Sequence, residues 1–368
     1  MSSEPALRLA LRYCISEGIT FAAFRSPGGA VTLWAQQTPE LDRCENGLWL
    51  ELNDVFLFSP FRAADRTPLI RSDVELTFGD AEPHWHRLME CTGSGEPMAS
   101  RQHVGTSREA FESAVAQARE ECVTGPLEKV VISRTIRLEV GAEEAGSLFV
   151  EAVNARPDAF VALVSSPEHG LWLGASPERL ILAENDSIRI EAIAGTASIA
   201  TAPSEPTGWG AKERHEQRVV TKSITGSLID LGARTITVEG PDVLIAGPVA
   251  HLRTSVTATL ENRTVEELVN AIHPTPAVGG LPPGLALARI EALEDGDREL
   301  YAGFWGPWSA DGRMELFVNI RCMRVFPDHA EMHVGAGITK GSTPAREWEE
   351  TEYKADSWRE LIRVPSTV

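Results

Sequence analysis

Four strand-like segments between residues 128 and 198 constrain the fold of this chain more than any other feature. They read EKVVISRTIRLEV, AFVALVSS, GLWLGASPERLILAEN and SIRIEAIAGTAS. In each segment, β-branched and apolar residues alternate with polar ones at a period near two, and turn residues separate the segments. The pattern predicts neighbouring strands of a large antiparallel sheet.

The rest of the chain mixes helical and extended patterns. Apolar residues at helical spacing predict helices in SREAFESAVAQAREECV, AKERHEQRVVTKSITGSLIDLG, VEELVNAIH and PAREWEETEYKADSWRELI. Two further strands are predicted in ELFVNIRCMRV and HAEMHVGAGI. Residues 1 to 100 have the pattern of short strands and turns. Helices and strands therefore both contribute to the expected fold.

Charge limits the kinds of partner. The formal net charge of −19 opposes binding to nucleic acid or to anionic lipid, because those partners need a basic surface. We therefore expect a small-molecule partner. If that molecule is an anion, a local cation must reverse the potential at the site, which anticipates a metal ion.

Length and cysteine usage point to a cytoplasmic protein. The 368 residues, 43% of them hydrophobic, are enough to bury a sizeable core. Five scattered cysteines without a CxxC pair argue against a disulfide framework or a thiolate metal site. The sequence shows neither a leader peptide nor the roughly 20 apolar residues that a membrane span needs, so we expect no membrane association.

Acidic pairs occur on two predicted helices. Glu347, Glu350 and Lys354 share one face of the last helix, and Glu213 and Glu216 repeat the same spacing on an earlier one. Two such pairs facing each other would offer oxygen ligands to Mg²⁺. The alternative is a solvated helix surface with internal ion pairs.

Three further side chains could carry chemistry. Lys129 opens a strand, and burial of its ammonium group would favour the neutral amine, a general base; alternatively it reaches to water. Glu178 follows a proline at a strand-to-turn junction, where it is either a buried, protonated general acid or a surface turn residue. Arg321 lies in a strand among apolar neighbours and needs an anion, from a substrate or from a structural acid.

A glycine-containing segment and a histidine offer two further contacts to a ligand. Gly335 precedes the last helix in a glycine-containing segment whose amides could approach a carboxylate, although such segments are also ordinary tight turns. His251 has no metal-ligand spacing to another histidine, so a hydrogen-bonding role is favoured over zinc.

Nine blocks occur in a fixed order between residues 120 and 360: KVVISR, GASPERL, IAGT, KERHEQRVV, HLRTS, HPTPAVGG, RELYAGFWG, NIRC and GAGITKGSTPAREWEETEYK. Together they resemble the chorismate-utilising enzymes, the family of isochorismate, salicylate, anthranilate and aminodeoxychorismate synthases. The resemblance implies an α+β fold of the anthranilate synthase component I type, with two stacked antiparallel sheets flanked by helices. It also implies one domain over residues 1–368, with residues 1–100 as its amino-terminal part.

The resemblance implies a role for individual residues. Lys129 matches the base that activates water at C2 of chorismate, and Glu178 matches the acid that protonates the departing 4-hydroxyl group. Glu216 and Glu350 match direct Mg²⁺ ligands, and Glu213 matches an outer, water-mediated position, as does Glu347. The positions that match the substrate-binding site are Gly195, Thr196, His251, Ala277, Tyr301, Arg321, Gly335 and Lys354.

The subfamily is indicated by single positions. Aminodeoxychorismate synthases carry a nucleophilic lysine where Ala194 stands, and ammonia-using anthranilate synthases carry glutamine at the position of Lys129. The resemblance therefore implies attack by water and formation of isochorismate, without an obligate protein partner. Tyr301 leaves a salicylate synthase open, whereas Ile320 is closer to the isochorismate synthases; an amine-adding subunit is the remaining alternative.

Overall fold

Antiparallel pairing builds two nine-stranded sheets in this protein, which is described by a computed structural model. The structure describes residues 4–45, 47–49, 52–62, 66–79, 83–95, 98, 101, 104–247, 249–261 and 263–363. Within these ranges the strands are β1 (Phe21–Arg25), β2 (Val31–Ala35), β3 (Asp42–Glu45), β4 (Val55–Ser59), β5 (Arg66–Arg71), β6 (Val74–Phe78), β7 (Lys129–Leu138), β8 (Phe160–Ser166), β9 (Gly170–Ser176), β10 (Arg179–Glu184), β11 (Ser187–Ser198), β12 (Arg234–Ala246), β13 (Val249–Thr259), β14 (Gly280–Leu281), β15 (Phe304–Trp308), β16 (Arg313–Val318), β17 (Cys322–Val325) and β18 (Ala330–Ile338).

Helices connect and cover these sheets. The α-helices of the described residues are α1 (Glu4–Glu17), α2 (Arg108–Thr124), α3 (Ala142–Ala155), α4 (Ala211–Asp230), α5 (Val265–Ile272), α6 (Pro283–Leu293) and α7 (Pro344–Arg363). The four helices predicted from apolar spacing are α2, α4, α5 and α7. Among all the residues that the structure describes, no helix is both long and apolar enough to span a bilayer.

The order of strands differs between the two sheets. The first sheet runs β14-β7-β18-β17-β9-β8-β1-β2-β6, and the second runs β12-β13-β11-β10-β16-β15-β4-β5-β3. Strands from residues 21–78 therefore complete one end of both sheets. The four predicted segments do become strands, but they are divided: β7, β8 and β9 belong to the first sheet, and β10 and β11 to the second.

The main core lies between the two sheets. Phe160 of β8 stacks on Phe317 of β16 with ring centroids 4.3 Å apart, and Phe24 of β1 packs on Phe56 of β4 at 5.3 Å. All four rings are buried. A second apolar cluster joins the outer face of the first sheet to α1, α3 and α7, whereas α4 packs on β11 and β13 of the second sheet. The predicted layered α+β fold is confirmed in this arrangement.

Two expectations about local structure were wrong. Residues 1 to 100 were predicted as strands and turns, which β1 to β6 confirm between residues 21 and 78. The prediction was wrong for residues 4–17, which form α1, and the apolar residues at helical spacing there, Ala6, Leu7, Ala10 and Leu11, are buried. The segment ELFVNIRCMRV is not one strand. It forms β16 in the second sheet and β17 in the first, and Arg321 lies in the link with a positive φ of 51°.

The chain crosses between the sheets in the same way at Pro177–Glu178, which separates β9 from β10. The two crossings are joined by hydrogen bonds to their backbones. Val318 N–H donates to the carbonyl of Glu178 at 3.0 Å, and Ala175 N–H donates to the carbonyl of Arg321 at 3.1 Å. Two candidate site residues are therefore held at the same point, where the chain passes from one sheet to the other.

The contact between the sheets can be tested at Phe160. Replacing Phe160 with alanine removes a fully buried ring from the stack and leaves a cavity, so we expect a loss of about 3–5 kcal/mol in the free energy of unfolding. Urea denaturation measures this loss. The control Leu9→Ala, at a side chain that is 50% exposed on α1, should change the free energy by less than about 0.5 kcal/mol. Equal effects of the two substitutions would contradict the proposed inter-sheet core.

Candidate active site

A cavity lies beside the two crossings and collects most of the predicted site residues. It is lined by all eight positions expected to contact a substrate, together with three of the expected carboxylates: Gly195, Thr196, His251, Ala277, Tyr301, Arg321, Gly335, Lys354, Glu178, Glu216 and Glu350. Residues from β11, β13, β18, α4 and α7 contribute to the wall. The sequence therefore predicted which residues meet, although they come from distant parts of the chain.

Glu178 is buried in the cavity wall. Its residue is 4% exposed, and its backbone N–H donates to Ser176 Oγ at 3.2 Å, which fixes the crossing. Burial raises the pKa of Glu178 to about 8, although the positive charge of Lys129 acts in the opposite direction. The carboxyl group is therefore protonated at neutral pH, as a general acid must be. The alternative of a surface turn residue is wrong.

Lys129 begins β7 and is 1% exposed, so the alternative of a lysine that reaches to water is also wrong. Its ammonium group forms an ion pair with Glu216 of α4, with Nζ 2.9 Å from Oε1. Gly337 of β18 makes room for this pair. A Cβ atom at Gly337 would lie 2.2 Å from Glu216 Oε1 and 3.0 Å from Lys129 Cε, so an alanine there would displace both side chains.

The carboxylates on α7 are paired in a similar way. Glu350 accepts from Lys354 Nζ at 2.8 Å, and the same ammonium group donates to the carbonyl of Gly335 at 2.7 Å. Glu347 is 1% exposed and accepts from Lys212 of α4 at 2.7 Å. Burial and the negative charge of Glu350 raise the pKa of Glu347 to about 7, and they outweigh the ammonium group beside it. Two helices thus bring like charges together, each with a lysine partner.

A second, outer cavity borders the same carboxylates. Glu213 and Glu347 line it together with Lys212 and Glu350. Glu213 lies against the start of its own helix, because a Cβ atom at Gly210 would be 2.3 Å from Glu213 Oε2. Among the described residues, no group of three or more histidine, cysteine, aspartate or glutamate side chains is arranged as a ready metal site. The ligand roles predicted for the four glutamates stay predictions.

Arg321 is held in its left-handed conformation from several sides. Trp358 of α7 donates through Nε1 to the carbonyl of Arg321 at 2.8 Å, and Arg321 Nη1 donates to the carbonyl of Ala246 at 3.0 Å. Its other terminal nitrogen lies 3.0 Å from His251 Nε2, and His251 Nδ1 is 3.2 Å from Thr196 Oγ1. Burial and the charge of Arg321 lower the pKa of His251, so the imidazole is neutral and accepts from the arginine.

No aspartate or glutamate of the described chain forms an ion pair with Arg321, although the guanidinium group is buried. The structural acid that the sequence left open is therefore not found within those residues. Burial and the nearby Arg156 lower the pKa of Arg321 to about 10, which still leaves it charged at neutral pH. A buried cation of this kind favours an anionic ligand in the cavity.

Backbone conformation and ring packing explain two further positions of the cavity wall. Gly195 has a φ of 74° and interrupts the pairing of β11 with β13, so it forms a bulge that turns Thr196 toward the cavity. Tyr301 is buried, and burial raises the pKa of its hydroxyl group. Its ring stacks on His333 with centroids 5.1 Å apart.

Sequence reasoning missed Lys212, His333 and Trp358. Lys212 could have been found, because it stands four residues before Glu216 on the same helix and therefore on the same face. His333 shares a face of β18 with Gly335, which period-2 alternation also indicates. Nothing in the sequence pattern indicates that Trp358 holds the backbone of Arg321.

The family follows from comparison with known proteins. Residues 80–362 match the family model described as chorismate binding enzyme. Isochorismate synthase EntC of Escherichia coli (strain K12) is 31% identical over 254 residues, which cover 66% of this chain and 64% of that protein. The chain therefore belongs to the chorismate-binding enzymes, and its alignment with EntC spans slightly less than two thirds of that relative's length.

Solved structures show the same fold. MenF, the menaquinone-specific isochorismate synthase of Escherichia coli, matches 96% of this chain and 91% of its own with a TM-score of 0.77 at 21% sequence identity. Anthranilate synthase component I of Streptococcus pneumoniae TIGR4 covers 92% of this chain and 89% of its own at a TM-score of 0.64 and 20% identity. The predicted fold class is confirmed.

The protonation of Glu178 can be measured directly. The infrared band of a protonated carboxyl group should persist in the wild type up to a midpoint near pH 8 and disappear above it, because burial stabilises the neutral form. The difference spectrum between wild type and Glu178→Gln isolates this group from Glu347. A midpoint near the ordinary glutamate value of about 4.3 would contradict the burial argument.

Proposed function

We propose that this chain is an isochorismate synthase, which converts chorismate to isochorismate by adding water at ring C2 with loss of the 4-hydroxyl group, and that it requires Mg²⁺. The observation that carries the proposal is a single cavity whose wall contains a protonated Glu178, Glu216 with its partner Lys129 behind it, and Arg321, which has no carboxylate partner among the described residues. The relative EntC is an isochorismate synthase, which supports the same reaction.

Acid and base are assigned to different residues. Glu178 is the acid, because it carries a proton at neutral pH and can deliver it to the departing 4-hydroxyl oxygen. We assign Lys129 as the base that takes a proton from the attacking water, a role that requires it first to give up the proton that it holds in the ion pair with Glu216.

A positive charge in the cavity wall complements the negative charge of the substrate. Arg321 binds a carboxylate of chorismate, because its guanidinium group is buried in the cavity wall and no acidic side chain of the described chain pairs with it. The Trp358 bond to its backbone and the His251 contact fix its direction. Tyr301 and Gly335 form part of the remaining wall, with the ammonium group of Lys354 bound to the Gly335 carbonyl.

The carboxylates of α4 and α7 fit a hard divalent cation. Glu347 Oε2 is buried and has no hydrogen-bond partner among the described residues, so an acceptor there is unused. Glu216 and Glu350 would bind Mg²⁺ directly, with Glu213 and Glu347 in outer positions, because Mg²⁺ prefers a few carboxylates and retains several waters. When bound, the metal would neutralise the ring carboxylate of chorismate within a protein whose net charge is −19.

Water is the proposed nucleophile because of two positions. Ala194 lines the cavity with a methyl group, so no protein amine reaches the ring from the place where aminodeoxychorismate synthases carry a lysine. Lys129 stands where ammonia-using relatives carry glutamine. A base is more important for water than for ammonia, which is the better nucleophile.

One observation supports a second candidate. Tyr301 lies in the wall, and many salicylate synthases, which continue from isochorismate by eliminating pyruvate, carry a tyrosine at this position. Ile320 also lines the cavity, where those enzymes carry leucine. We place the lyase second for this reason.

We also infer that residues 1–368 act as one domain without an obligate protein partner. Strands β1, β2 and β6 extend the first sheet, and β3, β4 and β5 extend the second, so the amino-terminal strands share the inter-sheet core with the site. Removal of residues 1–100 should therefore abolish folding of the remainder.

Glu178→Gln should lower kcat by about a hundred- to ten-thousandfold, because the amide cannot donate a proton to the leaving oxygen. The matched control is Glu184→Gln, an exposed glutamate at the end of β10, the strand that follows Glu178, which should retain wild-type turnover. Steady-state rates with chorismate and MgCl₂ measure both. A variant at position 178 with full activity would remove Glu178 from the acid role.

Product analysis tests the function itself. Purified protein is incubated with chorismate and MgCl₂, without an added amine and with an EDTA control, and the products are separated by chromatography. Isochorismate in equilibrium with chorismate, lost on chelation, is the expected result. Salicylate with pyruvate would favour the second candidate, and reaction only with added ammonia would assign the chain to the amine-adding branch.

A further inference from the structure

Lys212 joins the two helices that carry the carboxylates. It is the second residue of α4, and its ammonium group donates to Glu347 Oε1 of α7 at 2.7 Å. The side chain of Glu347 is 1% exposed, whereas that of Lys212 is 23% exposed. The lysine therefore reaches from the solvent side into a buried acidic group.

More than one carboxylate acts on the charge of Lys212, although its hydrogen bond is to Glu347. Burial lowers its pKa, but Glu347, Glu350 and Glu216 raise it above the ordinary lysine value, so all three are close enough to act on the same charge. These are three of the four glutamates to which the metal site is assigned. Lys212 thus lies among the side chains that a divalent cation would use.

The other two lysines of the cluster differ from Lys212. Lys129 is buried at the start of β7, and Lys354 is anchored to the carbonyl of Gly335 as well as to Glu350. Lys212 lines the outer cavity and has no hydrogen bond among the described contacts other than that to Glu347. It is therefore the cation that can leave with the least rearrangement.

The acidic cluster can also accept more positive charge than Lys212 supplies. Glu347 Oε2 is buried and has no hydrogen-bond partner in the part of the chain that the structure describes, while Oε1 accepts from Lys212. A single ammonium group leaves this acceptor unused. A divalent cation provides twice the charge and can be approached by several oxygens at once.

We propose that Lys212 is a resident counter-cation, which stabilises the carboxylate cluster while no divalent metal ion is bound, and that Mg²⁺ displaces it into the outer cavity. The inference rests on the metal site of the proposed function. It predicts that the lysine and the metal compete, because both stabilise the same carboxylates. Without the lysine, the stability of the protein should therefore depend more strongly on bound Mg²⁺.

The test compares Lys212→Met with wild type by thermal melting and by calorimetric titration with MgCl₂ in the absence of substrate. Without metal, the variant should melt several degrees lower, because the carboxylates lose their partner. At saturating MgCl₂ the two melting temperatures should coincide. The variant should bind Mg²⁺ about tenfold more tightly than wild type, a coupling of ordinary size between two sites.

Two controls accompany this variant. Lys222→Met removes an exposed lysine from the same helix and should change neither the melting temperature nor the affinity. Lys212→Arg keeps a positive charge, so it should melt near wild type without metal and bind Mg²⁺ no more tightly. The arginine variant keeps the inference testable if the methionine variant does not fold.

Two outcomes would overturn the inference alone. Weaker or unchanged Mg²⁺ binding by Lys212→Met would show that Lys212 does not compete with the metal. An equal loss of melting temperature with and without MgCl₂ would show a permanent structural ion pair. If the wild-type protein itself binds no Mg²⁺, the metal requirement of the proposed function is wrong together with the inference about Lys212. Mg²⁺ binding by the wild type therefore distinguishes a failure of the inference alone from a failure of the proposed function.

Discussion

The arrangement of this molecule depends on the compensation of buried negative charge between α4 and α7. Isolated carboxylates are expensive to bury, and removal of one partner of a buried pair typically costs several kcal/mol. Three carboxylates of these two helices each have a lysine: Glu216 pairs with Lys129, Glu350 with Lys354, and Glu347 with Lys212. These pairs connect β7, α4 and α7, so the charges that serve the chemistry also fix the elements that surround the cavity.

Backbone geometry supplies the room for these charges. Gly337 leaves space for the Lys129–Glu216 pair, and the bulge at Gly195 turns the end of β11 toward the cavity. The two crossings between the sheets place Glu178 and Arg321 side by side in the wall, and hydrogen bonds from neighbouring strands hold both crossings. The left-handed conformation of Arg321 costs of order 1–3 kcal/mol, which the bonds from Trp358 and Ala175 offset.

Much of the site was predictable because each family motif is a short, continuous stretch of sequence. How the motifs lie relative to one another in space was not predictable from those stretches. Strand alternation identified β7 to β11, and helical spacing identified α2, α4, α5 and α7. The same alternation could not show that GLWLGASPERLILAEN and ELFVNIRCMRV each change sheets, because a crossing keeps the apolar character of the strands on both sides. Helix α1 was missed although Ala6, Leu7, Ala10 and Leu11 have helical spacing, because the strand-like segments that follow it dominated the reading of residues 1–100. The pairing of each glutamate with a lysine was not predicted either, since it depends on how α4 and α7 meet.

The central claim is that the carboxylates of α4 and α7 hold a divalent cation and that a substrate lies between Lys129 and Glu178. A crystal structure of the Glu178→Gln variant with chorismate and MgCl₂ tests this most directly, because the variant should bind the substrate without turning it over. We predict Mg²⁺ on Glu216 and Glu350, a substrate carboxylate on Arg321, and Lys212 withdrawn toward the outer cavity. Chorismate bound elsewhere, or bound without a metal while all three lysine pairs remain intact, would contradict the account.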